Sequence, residues 1–209
     1  MRVTTFRERM AGRVGSVAGT PWTIRPRGVT AGAAIVRTAA STVGARSTVL
    51  DLDDLLVRVD AVDPERDGFR ATVLRGSVTG LTATPLAVVH GFADILAVAG
   101  PERHMHYRLV LSSGADVYVV DGLKVVRGGL RRVWTATTTL HTVAVRVSAD
   151  ELPGDAVSRA RWADEGGAQG EVVLAGVLRV RGLLRQAASL RGRALPFLAG
   201  FARRALGSS

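Results

Sequence analysis

The side chains able to do chemistry in this chain fall into three groups, and two of them are poorly spaced for it. His104 and His106 stand two positions apart, and with His141 they supply the imidazole nitrogens that zinc or iron takes as ligands at about 2 Å. Cysteine is absent and no glutamate completes a ligand set, so the alternating histidines read as ordinary sheet-surface positions, and no metal site is expected. Asp51, Asp53, Asp54, Asp60, Asp63 and Asp67 form an acidic run. It lacks the central glycine and terminal glutamate of a calcium loop, so helix capping and turn formation account for it better. Ser112-Ser113-Gly114 reads as a turn and not as a nucleophile elbow.

The third group is Tyr107, Tyr118, Lys124, Trp134 and the threonines around Thr138, with His106 beside it. On a concave sheet face Tyr107 and Trp134 would form rigid walls, while Tyr118 or the Thr138 hydroxyl fixes orientation. A mostly apolar pocket with a few polar handles is the usual form of a small-molecule site. Core packing explains Tyr107 and Trp134 equally well. Lys124, the one lysine of the chain, follows Asp121-Gly122 and is expected in solvent. A cofactor-free cyclisation or isomerisation needs an acid or base beside an oriented ligand, and no pair is marked for that role. Catalytic residues are therefore unassigned.

These residues belong to a run of strand signals from Glu102 to Val147. Met105, Tyr107, Leu109 and Leu111 share one face, and His104, His106, Arg108 and Val110 the other, the period-two pattern of a sheet with one apolar side. Asp121-Gly122 predicts a tight hairpin turn, Gly128-Gly129 another, and Val133 to Val147 a long segment rich in threonine and valine. Sequence neighbours this close have no room for helical crossovers, so the strands form an antiparallel meander. Before this block, Val3–Val14 reads as a strand ending at Gly12, Gly15–Thr30 as an extended edge or loop, and Ala33–Ala40 as ambiguous. Asp51 predicts the cap of a short helix over Asp53–Val57, and Asp60–Gly68 a loop. Phe69–Val78 and Leu86–Val98 read as strands, with Gly91 marking a bend or a close backbone approach. Ser148–Gly170 reads as a long loop with at most one short helix. Glu171–Val180 is a final strand with Gly176 at a bulge or close contact.

From Leu183 the pattern is helical: Leu183, Leu184, Ala187, Ala188 and Leu190 form one stripe. Gly192 and Pro196 interrupt it before Phe197, Leu198, Phe201, Ala202 and Leu206 form another. The fold class is thus all-β, a curved antiparallel sheet or lipocalin-like barrel over residues 1–182, with a basic amphipathic helical tail over 183–209. Between Arg179 and Ser209 there are arginines at 179, 181, 185, 191, 193, 203 and 204 and no acidic residue. Such a tail suits packing over a barrel end, docking on an acidic partner, or contact with an anionic membrane surface.

Composition narrows the function classes. A chain of 209 residues buries roughly 70% of its unfolded surface, and 47% hydrophobic content excludes bulk disorder. The net charge of +10 comes from arginines spread throughout, without the clustered charge, interleaved aromatics or basic recognition helix of a nucleic-acid binder, so no nucleic-acid partner is expected. Met1–Gly19 lacks the apolar core of a signal peptide, and no uncharged apolar run is long enough to span a bilayer. A cytoplasmic protein is expected, with the tail able to reach the inner membrane surface.

Several short motifs resemble a domain found beside, or fused behind, cholesterol-oxidase-like flavin oxidoreductases of the glucose-methanol-choline class in actinobacteria. They are Phe6, Glu8, Met10 and Gly12; His104-Met105-His106-Tyr107-Arg108-Leu109; Gly122-Leu123-Lys124; Trp134 with Thr137-Thr138-Thr139-Leu140; and Gly176-Val177-Leu178-Arg179. The chain departs from that pattern at Ala136, where an aspartate is usual. It departs again at Gly91-Phe92-Ala93-Asp94-Ile95, where an asparagine between phenylalanines is usual. The glycine-spaced turn of a dinucleotide site is missing, so no flavin or other cofactor is expected. The resemblance implies a non-redox accessory role: binding an apolar, sterol- or lipid-like molecule, or docking on an oxidoreductase that handles one. A cyclase or isomerase working in the barrel cavity and a purely structural or protein-interaction module are the alternatives.

Overall fold

The computed structural model describes residues 3–28, 32–42, 47–114, 116–126 and 137–206. The strands are β1 (Thr4–Thr23), β2 (Ser47–Asp63), β3 (Gly68–Thr79), β4 (Leu86–Ala99), β5 (Glu102–Ser112), β6 (Asp116–Val126), β7 (Thr139–Ser148) and β8 (Gln169–Val180). The helices are α1 (Gly32–Ser41), α2 (Ala156–Glu165), α3 (Leu183–Ala188) and α4 (Ala194–Leu206). Each strand pairs antiparallel with its sequence neighbour, and β1 also pairs with β8, which closes an up-and-down barrel of lipocalin-like type. Among the described residues no helix is long and apolar enough to cross a membrane.

Inward side chains fill most of the barrel. Thr4, Phe6, Glu8 and Met10 of β1 are all buried at alternate positions, and Met105, Tyr107, Leu109 and Leu111 of β5 face them across the interior. A second apolar cluster lies outside the wall. There Ile35 of α1 and Ala163 of α2 pack with Val110, Val119, Val143 and Val145. Both faces of β6 and β7 are therefore covered, which explains their nearly unbroken apolar sequence.

Several local expectations are overturned. Asp121-Gly122 is not a hairpin but the middle of β6, with Asp121 opposite Arg108 and Gly122 opposite Tyr107. The aspartate is held in the sheet by ion pairing to Arg108, and a side chain at 122 would collide with Leu140, so both residues have reasons other than a turn. The β5–β6 hairpin falls at Ser112-Ser113-Gly114, the other turn expected, where the Ser113 N–H donates to the Asp116 carbonyl at 2.9 Å. Gly128-Gly129 and residues 133–136 lie outside the described residues. β1 does not end at Gly12; a Cβ there would lie 2.1 Å from the Val177 oxygen, so the glycine permits the close approach of β8. The strand continues through Pro21, and the segment read as an edge or loop pairs with β8 up to Thr23.

The helix expected over Asp53–Val57 is part of β2. Leu50, Leu52, Leu55 and Val57 all point inward, but a bulge at Asp53–Asp54, with Asp54 at φ 49°, shifts the phase by one residue and imitates helical spacing. β2 and β3 likewise extend into the stretch expected as a loop. The ambiguous Ala33–Ala40 segment is α1. The expected contacts at Gly91 and Gly176 are present: an added Cβ would stand 2.9 Å from the Arg108 oxygen and 2.5 Å from the Arg13 oxygen. In the Ser148–Gly170 connection, Asp155 caps α2 by accepting from Val157 and Ser158 N–H at 3.0 and 2.9 Å.

The tail lies across one end of the barrel. It breaks between α3 and α4, where Gly192 adopts φ 79°, whereas Pro196 sits in the first turn of α4 and does not interrupt it. Thr5 and Arg191 exchange backbone hydrogen bonds at 3.2 and 2.9 Å. Phe197 of α4 stacks 6.0 Å from Phe6 and meets Phe69 edge-on at 5.1 Å. Arg204 donates to the Asp67 carbonyl at 2.9 Å and lies 4.6 Å over the Phe69 ring. The side chains of Leu183, Leu184 and Leu206, assigned to the apolar stripes, lie outside the description.

Candidate functional site

Beneath the tail the barrel is not filled. A cavity of about 230 Å³ lies between the inner wall and the tail, walled by Phe6 of β1, Ile95 of β4, Met105 of β5 and Val180 of β8. Leu190, Phe197 and Phe201 roof it. Its lining is apolar except for Thr137, Thr138 and Gln186 around the cavity and three side chains on the inner wall: Glu8, Tyr107 and Lys124.

Strand phase places those three together. Glu8 lies between Phe6 and Met10 on the inward face of β1, Tyr107 lies between Met105 and Leu109 on β5, and Lys124 continues the inward series Tyr118, Val120, Gly122 on β6. Lys124 Nζ donates to Glu8 Oε1 at 2.9 Å, and the Tyr107 hydroxyl donates to Glu8 Oε2 at 2.8 Å. Lys124 Nζ also stands 4.8 Å from the Tyr107 ring centroid. The ion pair is almost fully removed from water, with side-chain exposures of 1% and 2%. Burial, then the adjacent Glu8 charge and hydrogen bond, push the Tyr107 phenol well above its ordinary value, so it stays a neutral donor.

Such a buried pair persists because each charge answers the other and the phenol satisfies the second carboxylate oxygen. Hydrogen-bonding capacity remains. An ammonium carries three N–H donors and a carboxylate about four acceptor sites, and the contacts among described residues use only part of each. A hydroxyl arriving in the cavity can therefore donate to Glu8 and accept from Lys124; a carbonyl can accept from Lys124.

The expected site residues are distributed unevenly. Tyr107 is on the cavity wall and Thr138 lines the cavity, but Trp134 lies outside the described residues. Tyr118 points inward opposite Leu111, towards the far end of the barrel, and does not touch the cavity. His106 points outward. It is nevertheless buried, its Nε2 3.2 Å from Asp121 Oδ1 and its ring edge-on to Phe92 at 5.3 Å. Arg108 joins it, donating to both Asp121 oxygens at 2.8 and 3.1 Å and to the Ala163 carbonyl at 2.7 Å, which fastens α2 to the wall. Burial raises the Asp121 carboxyl, but Arg108 and His106 outweigh it and the net displacement is downward. This outer cluster is closed and packed, so it serves the wall.

The histidines and aspartates form no group of three metal-ligating side chains among the described residues. Glu8 is the residue that sequence reasoning missed, and Lys124 the one whose surroundings it misjudged. The turn expected at Asp121-Gly122 puts Lys124 in solvent, yet it continues an inward phase and is the only lysine of the chain. Comparison of the chain with protein-family models, with curated proteins and with solved structures finds no match.

Proposed function

We propose that the barrel binds an apolar small molecule of lipid- or sterol-like character whose buried portion carries one neutral polar group. The observation that carries this reading is a single buried ion pair, Glu8–Lys124, in a mostly apolar cavity. Apolar walls supply affinity without direction, while one polar anchor selects and orients a hydroxyl or carbonyl. An apolar cavity of roughly 150 Å³ takes up benzene, so 230 Å³ suits about nine or ten heavy atoms. A medium-length chain fits beneath the tail. A whole sterol, roughly three times larger by the same measure, fits only with α3 and α4 displaced. The motif resemblance adds a lipid- or sterol-oxidising flavoenzyme as partner, with the barrel taking no part in the redox step.

Displacement of an apolar fluorescent dye by octanol and by octane tests this reading. A hydrogen bond to a charged group contributes enough that the octanol-to-octane affinity ratio should fall about tenfold in the Glu8→Leu/Lys124→Met double variant. An unchanged ratio, or no saturable displacement by either ligand, overturns the proposal.

The same ion pair favours a second reading, an isomerisation. Glu8 would take a proton from the carbon beside a ligand carbonyl, Lys124 would hold the resulting enolate oxygen, and Glu8 would return the proton at another carbon. Turnover of an unsaturated ketone by purified protein, abolished in Glu8→Gln, is its test; binding without turnover leaves the binding role alone.

A further inference from the structure

Beside the cavity a second, solvent-open cleft of about 490 Å³ is lined by Arg7, Arg9, Asp53, Asp54, Arg181 and Arg185, and it shares Glu8 and Gln186 with the cavity. The two spaces are therefore adjoining compartments, one apolar and one charged. The charges in the cleft are not balanced. Arg7 pairs with Asp54, and Arg9 with Asp51 and Asp53. Glu8 is answered from inside the barrel by Lys124 at 2.9 Å. Among the described residues, the side chains of Arg181 and Arg185 make neither an ion pair nor a hydrogen bond, and both residues are exposed.

Their position follows from the chain path. Arg181 comes directly after Val180, which lines the cavity, and its backbone N–H is fixed to the Arg9 carbonyl at 2.8 Å. Gly182 then turns the chain with φ 66°, and Arg185 precedes Gln186, which lines both spaces. Among the described residues, two guanidiniums without carboxylate partners thus stand at the edge of an apolar cavity.

From this geometry we infer that the ligand is an anionic amphiphile: its chain occupies the cavity and its carboxylate or phosphate headgroup is held at Arg181 and Arg185. Guanidinium groups match the oxygens of both headgroups through paired N–H donors. The inward ion pair does not compete for that headgroup, because the Lys124 charge is already neutralised by Glu8 and the cleft's other two arginines are engaged. The anion instead completes the charge balance of the cleft. This inference rests on the cavity being the binding site and adds the identity of the ligand's outer end.

Dye displacement by octanoate, octyl phosphate and octanol tests it with the full chain and with Arg181→Gln/Arg185→Gln. Two exposed ion pairs correspond to roughly tenfold in affinity at low salt. The anionic ligands should lose about that factor in the double variant, and wild-type affinity for them should weaken as salt rises. Octanol affinity should stay unchanged, which also establishes that the variant is folded. The stronger of the two anions identifies the headgroup. Equal affinities of wild type and variant for both anions overturn the headgroup site while octanol binding leaves the cavity reading standing. Failure of all three ligands to displace the dye overturns both.

Discussion

Glu8 and Lys124 illustrate what one contact does when water is excluded. Truncating either residue leaves the other's charge buried without a partner, and such losses cost about 3–5 kcal/mol. Replacing both by apolar side chains of similar size removes the stranded charge together with the pair. Denaturant unfolding of Glu8→Leu, Lys124→Met and the double variant should therefore be strongly non-additive. Each single change should cost about 3–5 kcal/mol and the double markedly less than their sum. Additive losses would show that the two side chains do not act as a unit. The signal for this pair was present in the residues. Phe6, Glu8 and Met10 already share one strand face, and a lone lysine among arginines marks a position where a compact ammonium replaces a planar fork. What hid it was a two-residue turn preference that tertiary pairing overrode at Asp121.

At the scale of elements, the tail is a roof built from aromatic contacts. Phe197 touches Phe6 and Phe69 below it and Phe201 beside it, while its own ring faces the cavity. Phe197→Ala should cost about 2 kcal/mol, less than a fully buried phenylalanine because the ring is only half-buried. That corresponds to a melting-temperature fall of about 4–8 °C for a chain of this size. It should also release the bound dye faster, measured by stopped-flow displacement. A slower or unchanged release would show that α4 does not gate the cavity. The helical character of this tail was readable from its spacing, but its place over the barrel mouth was not. Stripe and charge pattern alone fit a lid, a partner face and a membrane face, and it is the contacts with Phe6 and Phe69 that show the tail packed on the barrel. The β2 bulge shows the opposite failure: at Asp53–Asp54 one additional residue shifted the strand phase and made a strand look helical.

Over the whole molecule, stability follows the carboxylates that the fold holds ionised. Asp121 lies below its ordinary value of 3.8, burial being outweighed by Arg108 and His106. Asp63 is also lowered, as Arg70 and Arg66 overcome its burial, and Asp67 is lowered chiefly by Arg103. In each case the unfolded chain binds the proton more readily than the folded one. Their stabilisation is therefore fully present above about pH 4 and is lost as the pH falls below it. Tyr107 has the opposite sign: its raised phenol contributes a loss only as the pH climbs past about 10. Thermal melts should show the acid fall, shallower in Asp121→Asn, which is also less stable at neutral pH because Arg108 loses its partner. An unchanged acid slope would remove Asp121 from this account. The barrel class was legible from strand alternation and from the want of room for crossovers. The closure itself required long-range pairing that no local window records.

That closure sets an order of events during synthesis. β1 cannot meet β8 until Val180 has left the ribosome, about 160 residues after the end of β1, a delay on the order of ten seconds at ordinary elongation rates. Until then β1 has only β2 beside it, and its second edge is open to any other strand. The tail that roofs the cavity emerges later still, so the ligand compartment opens outward on the nascent chain before it is covered.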